Sequence, residues 1–445
     1  MTARLCGIDI GTTNLKVVLM DEAGRCLWSR AVPTPRIAFR GGVATDAGHL
    51  LDAVEALVIE GWRAAGGGRP LRALAATGVG EDGVGLDAGL RPTGPALPWF
   101  DARATREAAE LARHPAVDGH IGLPITPDRT VAKWLWLRRH APELLAGATG
   151  WVALTDYPAT VWSGVAFMSR TLAARTAAYN VFSRDWIPSL VQAAGAPPLP
   201  PVRDAGTVIG TVSGGALRAS GAADAQTLVV AGGHDHPVAA AAIRRSDPLA
   251  RIDSLGTANV VYGETQSVPA PGLHPPLALS VPVRAAPGLA CLGVFELAAH
   301  LAPDAAARAA LEPALAARRL EGAPMAGGAV RDRLEEASLA ARHMFRAMDR
   351  LGVPPGPIYA TGGWSRSRGF MELRASVLGA PLHVVDEPEL TALGAALLAA
   401  EGAGLRTGFD VRARLTTVEP LPGWAQAYAA LADIVPARDP DSPAE

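Results

Sequence analysis

The chain has 445 residues, 49% of them hydrophobic and 19% charged, with a formal net charge of -2. That length supports two large domains with buried cores, and the near-neutral balance gives no electrostatic reason to bind nucleic acid or an anionic membrane. Three widely spaced cysteines, Cys6, Cys26 and Cys291, argue against a disulfide framework or a zinc site, and no unbroken apolar run reaches membrane length, so the chain is read as cytoplasmic.

Leu5 to Ile10 is a short apolar strand with Asp9 near its end, Gly11-Thr12-Thr13-Asn14 turns the chain, and Val17 to Met20 returns as a second strand before Cys26-Leu27-Trp28. The pattern predicts a β-meander. Gly and Thr in its first turn expose backbone N–H and hydroxyl donors that could cradle a phosphate tail, and Asp9 beside them could hold Mg²⁺ through water; a plain hairpin is the alternative. Lysine is confined to Lys16 and Lys133, neither after a glycine, so a P-loop is excluded.

His49 to Ala65 reads as an amphipathic helix and Leu71 to Ala76 as a strand. The strand runs into Gly78-Val79-Gly80-Glu81-Asp82-Gly83, which matches the dinucleotide spacing G-x-G-x-x-G. A dinucleotide site needs a helix to open there, whereas Val84 to Gly89 reads as strand and turn, so the match is a decoy. Glu81-Asp82 could accept the paired hydroxyls of a sugar or polyol, or could be a solvated acidic turn. Asp101 and Arg103, after Trp99, could buttress a site or cap the helix that follows. Lys133 to Arg139 is a helical stripe that reads as core, and Trp151 to Ser163 as a buried helix. The prolines of Pro197 to Pro201 mark a surface connection near the end of the first half.

The run Leu228 to Ala231, then Gly232-Gly233-His234-Asp235-His236-Pro237, then an alanine-rich stretch to Arg244, is a strand, a glycine turn and a helix start. A carboxylate at that mouth is kept ionised by the helix dipole and could take a proton from a substrate hydroxyl; equally, Asp235 could cap its helix. His234 and His236 raise a metal site, though sequence neighbours rarely converge on one ion. Gly256-Thr257-Ala258-Asn259 repeats the first turn between two strands, which suggests two related halves. A second strand–glycine–helix junction, Ile358 to Ser365, lacks a carboxylate and offers a flat glycine surface for an adenine ring. Glu389 to Glu401 is a small-residue helix ending at Gly402, suited to close packing.

Asp9-Ile10-Gly11-Thr12-Thr13, Gly232-Gly233-His234-Asp235, Ser254-Leu255-Gly256-Thr257-Ala258, Thr361-Gly362-Gly363 and Thr391-Ala392-Leu393-Gly394-Ala395-Ala396 together resemble the FGGY family of carbohydrate kinases, in that order and spacing. The resemblance implies an α/β fold of two RNase H-like (actin-like ATPase) domains flanking a central cleft that binds ATP. An N-terminal domain over residues 1–225 and a C-terminal domain over 226–436 are expected, followed by a disordered tail over 437–445.

By the resemblance, Asp9 is the Mg²⁺-associated Asp and Asp235 the general base. Gly11, Thr12, Thr13, Lys16, Gly256 and Thr257 meet the phosphates, and Gly362, Gly363 and Ser367 border adenosine. Glu81, Asp82, Trp99, Asp101, Arg103 and Asp235 meet the sugar. The expected activity is ATP-dependent phosphorylation of a small neutral ketose or polyol, with a homodimer as a candidate assembly. A non-catalytic sugar sensor on the same fold is the alternative, and retention of both Asp9 and Asp235 disfavours it. Glu81-Asp82 replaces the Met-His or Arg-Glu of xylulose- or glycerol-kinase-like members, which puts those substrates in doubt. The stretch 262–330 is also shorter than is usual in the family.

Overall fold

The computed structural model describes residues 3–117, 119, 121–316 and 328–431; the expected tail, 437–445, lies outside them. The described residues fall into two compact units, one drawn from Met1–Pro248, Glu264–Cys291 and Glu389–Val411, the other from Leu249–Gly263, Leu292–Pro388 and Arg412–Glu445.

In the first unit, β1 (Arg4–Ile10), β2 (Asn14–Asp21) and β3 (Cys26–Pro33) form the expected antiparallel meander. Helix α1 (Ala47–Ala64) follows, its start capped by the Asp46 carboxylate, which accepts from the His49 N–H at 2.9 Å. Side chains alternate across a strand, so Cys6, Ile8 and Ile10 of β1 share one face and pack with Leu50, Val54, Leu57 and Val58 of α1 in the unit's core.

The sheet continues through β4 (Ala73–Gly78), parallel to β1. After it come β5 (Gly83–Leu86), α2 (Thr130–His140), β6 (Gly150–Ala153), α3 (Arg170–Arg175), β7 (Val208–Thr211), β8 (Leu228–His234) and α4 (Asp235–Arg244). A strand, not a helix, follows Gly83, as the decoy reading requires. Trp151, expected in a helix, lies instead on β6, which pairs antiparallel with β5; its helix begins only at Tyr157. Strand β8 lies parallel to β4, with β7 antiparallel beyond it, so the segment carrying Asp235 belongs to the first unit rather than beyond a boundary at residue 225. The proline-rich connection is a local signal, whereas unit membership is set by pairing across more than a hundred residues of chain.

In the second unit, β9 (Arg251–Leu255) pairs antiparallel with β10 (Asn259–Glu264). After α5 (Ala329–Arg350), β11 (Ile358–Thr361) lies parallel to β9. Helix α6 (Arg368–Leu378) then leads to β12 (Leu382–Val385), parallel to β11, with β13 (Leu415–Val418) antiparallel to it. The strand orders β2-β1-β4-β8-β7 and β10-β9-β11-β12-β13 therefore run through the same antiparallel, parallel, parallel, antiparallel sequence. These are two RNase H-like α/β halves.

The helix α7 (Leu390–Gly402) returns to the first unit and packs on β1, β4 and α4. The contact is close. A Cβ on Gly7 would lie 1.9 Å from the Ala392 carbonyl oxygen, and one on Gly394 would lie 2.7 Å from that of Val238. Small residues on both sides are what allow this helix to bring Glu389, just before its first turn, to Lys16, with Nζ 3.4 Å from Oε2.

Candidate active site

The first unit gathers its chemistry at the carboxyl ends of three neighbouring parallel strands, where open α/β sheets bind ligands. The register aligns Asp9 of β1 with Thr77 of β4, Thr77 with Gly233 of β8, and His234 with Gly78. Asp9 is buried, and its Oδ1 has no hydrogen-bond partner. Burial, then the charge of Asp235 and that of Glu389, push its carboxyl up to about 7 against the pull of Lys16. A buried, orphaned carboxylate oxygen beside a second carboxylate fits a divalent cation. No group of three or more His, Cys, Asp or Glu that could hold a metal occurs among the described residues. Mg²⁺ does not need one, because it keeps several waters and binds substrate phosphates.

Asp235 is the first residue of α4, and the cap position before it is His234. Its Oδ1 accepts from the His236 N–H at 2.6 Å and lies 3.2 Å from His234 Nε2 and 3.9 Å from His236 Nε2. Burial pushes the His234 imidazole down to about 4, so the ring is neutral near pH 7. Asp235 itself is only partly buried and sits at the positive end of the helix, within reach of a ligand.

The turn between β4 and β5 is buried, not solvated. Glu81 Oε1 accepts from Arg129 Nη1 at 2.7 Å and from Arg175 Nε at 2.7 Å, with Arg175 Nη2 on the same oxygen. Burial opposes ionisation there, but the Arg175 and Arg129 guanidinium groups outweigh it and hold the carboxyl well below the usual range. Asp82 is 1% exposed and neither of its oxygens has a hydrogen-bond partner. Lys133 Nζ stands 3.9 Å away and donates to the carbonyls of Glu81 at 3.2 Å and Leu97 at 2.9 Å. Burial pushes the Asp82 carboxyl up to about 6, even with Lys133 and Arg36 lowering it. Arg129 and Lys133 are site residues that sequence reasoning did not single out. Lys133 is masked by the tryptophans beside it, although a lone lysine in the apolar first two turns of a helix is itself a signal.

Trp99 Nε1 donates to Thr12 Oγ1 at 2.7 Å, so the stretch expected to meet the sugar is tied to the first glycine-threonine turn. Arg36 Nη2 donates to the Thr12 carbonyl at 2.9 Å. Asp101 and Arg103 pair with each other at 2.6 Å, and the Arg103 guanidinium lies 5.1 Å from the Trp136 ring centroid. The next helix has Ala104 at its cap, so the pair is a buttress and not a cap.

In the second unit, the turn after β9 closes through Gly256 N–H to the Ala258 carbonyl at 3.1 Å, and the Ala298 N–H donates to the Thr257 carbonyl at 2.8 Å. Trp364 Nε1 donates to the Gly256 carbonyl at 2.9 Å, joining the two expected nucleotide motifs of this unit. Gly362 has φ 92°, and a Cβ on it would lie 2.5 Å from the Leu255 carbonyl oxygen, so glycine is required there. Ser367 caps α6, accepting from the Phe370 N–H at 3.3 Å and donating to the Leu315 carbonyl at 2.8 Å. The repeated asparagine has diverged in role. Asn259 is buried against Asp253 and Arg374, whereas Asn14 is exposed.

The family model for the N-terminal domain of the FGGY family of carbohydrate kinases matches residues 5–242, and that for the C-terminal domain matches residues 327–403. The chain belongs to the FGGY family of carbohydrate kinases. As an FGGY kinase it is a phosphotransferase that moves a phosphoryl group from ATP to a hydroxyl of a small sugar. It is 27% identical to the xylulose kinase of Streptomyces coelicolor, over 92% of this chain and 89% of that one. It is 24% identical to the autoinducer-2 kinase of Yersinia pseudotuberculosis, over 95% of this chain and 90% of that one. Among solved structures, the xylulose kinase from Rhodospirillum rubrum superposes with a TM-score of 0.82 at 24% identity, covering 96% of each chain, which supports the fold. No helix among the described residues is long and apolar enough to cross a membrane.

Proposed function

We propose that this FGGY kinase phosphorylates a small neutral ketose or polyol, with Asp235 as general base. The observation that carries the reading is the position of Asp235 at a helix mouth near the buried, orphaned carboxylate of Asp9, at the carboxyl ends of strands of one sheet. Phosphoryl transfer demands mainly alignment and charge neutralisation. Asp235 takes the proton of the attacking hydroxyl as its oxygen bonds to the γ-phosphorus and the bond to the leaving ADP oxygen breaks. Asp9 would hold Mg²⁺, and the ion, when bound, would neutralise charge on the phosphates. Thr12, Thr13 and Lys16 donate to phosphate oxygens, on a turn that Gly11 closes by donating its N–H to the Asn14 carbonyl at 3.0 Å. In the second unit, Gly256 and Thr257 serve phosphate and Gly362, Gly363 and the Ser367 turn serve adenosine, as the family motif suggests.

Asp82 selects the substrate. A buried carboxylate with no hydrogen bond on either oxygen and Lys133 3.9 Å away suits two neighbouring hydroxyls and repels an anionic sugar. Glu81, held by Arg129 and Arg175, fixes the turn on which Asp82 stands, while Trp99 and the Asp101–Arg103 pair shape the same wall. Relatives named for xylulose and for autoinducer-2 support a small substrate. We read the enzyme as cytoplasmic, where ATP is available, and as a candidate homodimer, which light scattering would decide. The test is sugar-dependent ADP release across C3 to C7 ketoses, aldoses and polyols, with Asp235→Asn beside wild type. Turnover on a neutral sugar, lost in the variant while ATP still binds, is expected; full activity in the variant would overturn the assignment of the base.

A further inference from the structure

His234 has a task the reaction as described does not use. Its strand places it in register with Gly78, its backbone N–H is held by Thr171 Oγ1 at 3.0 Å, and its ring is buried. A Cβ on Gly80 would lie 2.9 Å from His234 Cδ2, so the ring is wedged between Asp235 and the backbone just before Glu81-Asp82. Nε2 lies 3.2 Å from Asp235 Oδ1. Nε2 is the ring nitrogen that faces Asp235, and we assign the ring proton to it, which leaves Nδ1 of the neutral ring as a lone-pair acceptor. That Nδ1 is buried and has no hydrogen-bond partner. Buried acceptors are normally satisfied, so an orphan beside the base points to a donor that arrives with the ligand.

We propose that His234 accepts a second hydroxyl of the sugar at Nδ1 while donating from Nε2 to Asp235, which makes it a specificity-determining residue that also orients the base. The inference rests on the kinase reading and extends it: the substrate carries an O–H near the one that is phosphorylated. His236 does not share the role, because its Nε2 is 3.9 Å from the same oxygen and its side chain is 34% exposed.

Two variants separate the two hydrogen bonds. His234→Gln keeps an amide N–H near the Nε2 position but has no acceptor at Nδ1. His234→Asn keeps an oxygen near Nδ1 but loses the donor to Asp235. With the best neutral sugar, H234Q should raise sugar KM about tenfold with kcat within about twofold of wild type, and H234N should lower kcat about tenfold at a nearly unchanged KM. Calorimetric sugar binding without ATP should show the same loss for H234Q. One deoxy analogue should bind wild type about tenfold more weakly and H234Q no more weakly than the parent sugar. Melting curves identify any variant that fails to fold, and the deoxy series on wild type then decides alone. Equal weakening of every deoxy sugar in wild type and H234Q, or no deoxy effect in wild type, overturns the contact and leaves the kinase reading intact. Sugar binding weakened by H234Q in a protein that phosphorylates nothing overturns the kinase reading and leaves the contact. A protein that binds no sugar overturns both.

Discussion

Trp99 and Thr12 are joined side chain to side chain by a 2.7 Å hydrogen bond, indole N–H to hydroxyl oxygen. A hydroxyl that accepts from an indole keeps its own proton free to donate, so under the proposed function Trp99 would aim Thr12 at an incoming phosphate oxygen. Replacing Trp99 with Phe keeps the ring and removes the bond. The expected result is a KM for ATP raised about fivefold, with little change in thermal stability, since a neutral hydrogen bond is worth roughly 1 kcal/mol. An unchanged KM would separate this wall from the phosphate turn.

The proposed sugar contact of Asp82 predicts an acid limb. Its carboxyl is pushed up to about 6 by burial, and only the ionised form accepts two sugar hydroxyls. Below that pH Asp82 protonates in the free enzyme, so with saturating Mg²⁺ and ATP, whose cation would keep Asp9 ionised, kcat/KM for the sugar should fall as pH drops through about 6 and level off above it. Asp82→Asn should lower kcat/KM at neutral pH and abolish that limb. A limb that persists in the variant belongs to another group.

The approach of α7 to β1 predicts a stability effect far from any ligand contact. Gly7→Ala would place its Cβ 1.9 Å from the Ala392 carbonyl oxygen, so the helix must shift. Overpacking of this kind costs about 1–3 kcal/mol, and occasionally more. Denaturant melts should show a lower midpoint, and because Glu389 moves with the helix, the Lys16 contact should loosen as well. A midpoint equal to wild type would mean the helix yields freely.

Asp253 and Arg374 form a fully buried pair in the second unit, with Oδ1 to Nη2 at 2.8 Å and Asn259 bridging both. Asp253→Ala leaves a guanidinium buried without its counter-charge, which should destabilise that unit by about 3–5 kcal/mol. Hydrogen exchange should report the loss in β9, β11 and α6 before it reaches β1 or β4. Uniform loosening of both units would show that they unfold together.

How far the sequence reaches depends on the range over which each feature is encoded. The opening meander, the glycine-threonine turns and the carboxylate at the mouth of α4 are legible because turn chemistry and hydrophobic period are local. The same holds for the false dinucleotide match, exposed by the strand after Gly83. The surroundings of Glu81 and Asp82 are not legible, because Arg129 and Arg175 come from 48 and 94 residues away and only tertiary packing brings them in. Glu389 reaches Lys16 only because the chain returns to the first unit at α7. The sequence alone determined the family, the two related halves and the residues able to take a proton or meet a phosphate, since these lie in contiguous motifs. Only the tertiary structure decided which carboxylates are already committed and which are left unpaired, because burial and partner choice are properties of the packed chain: Glu81 is held by arginines, Asp101 by Arg103, and Asp82, Asp9 and His234 keep buried acceptors open.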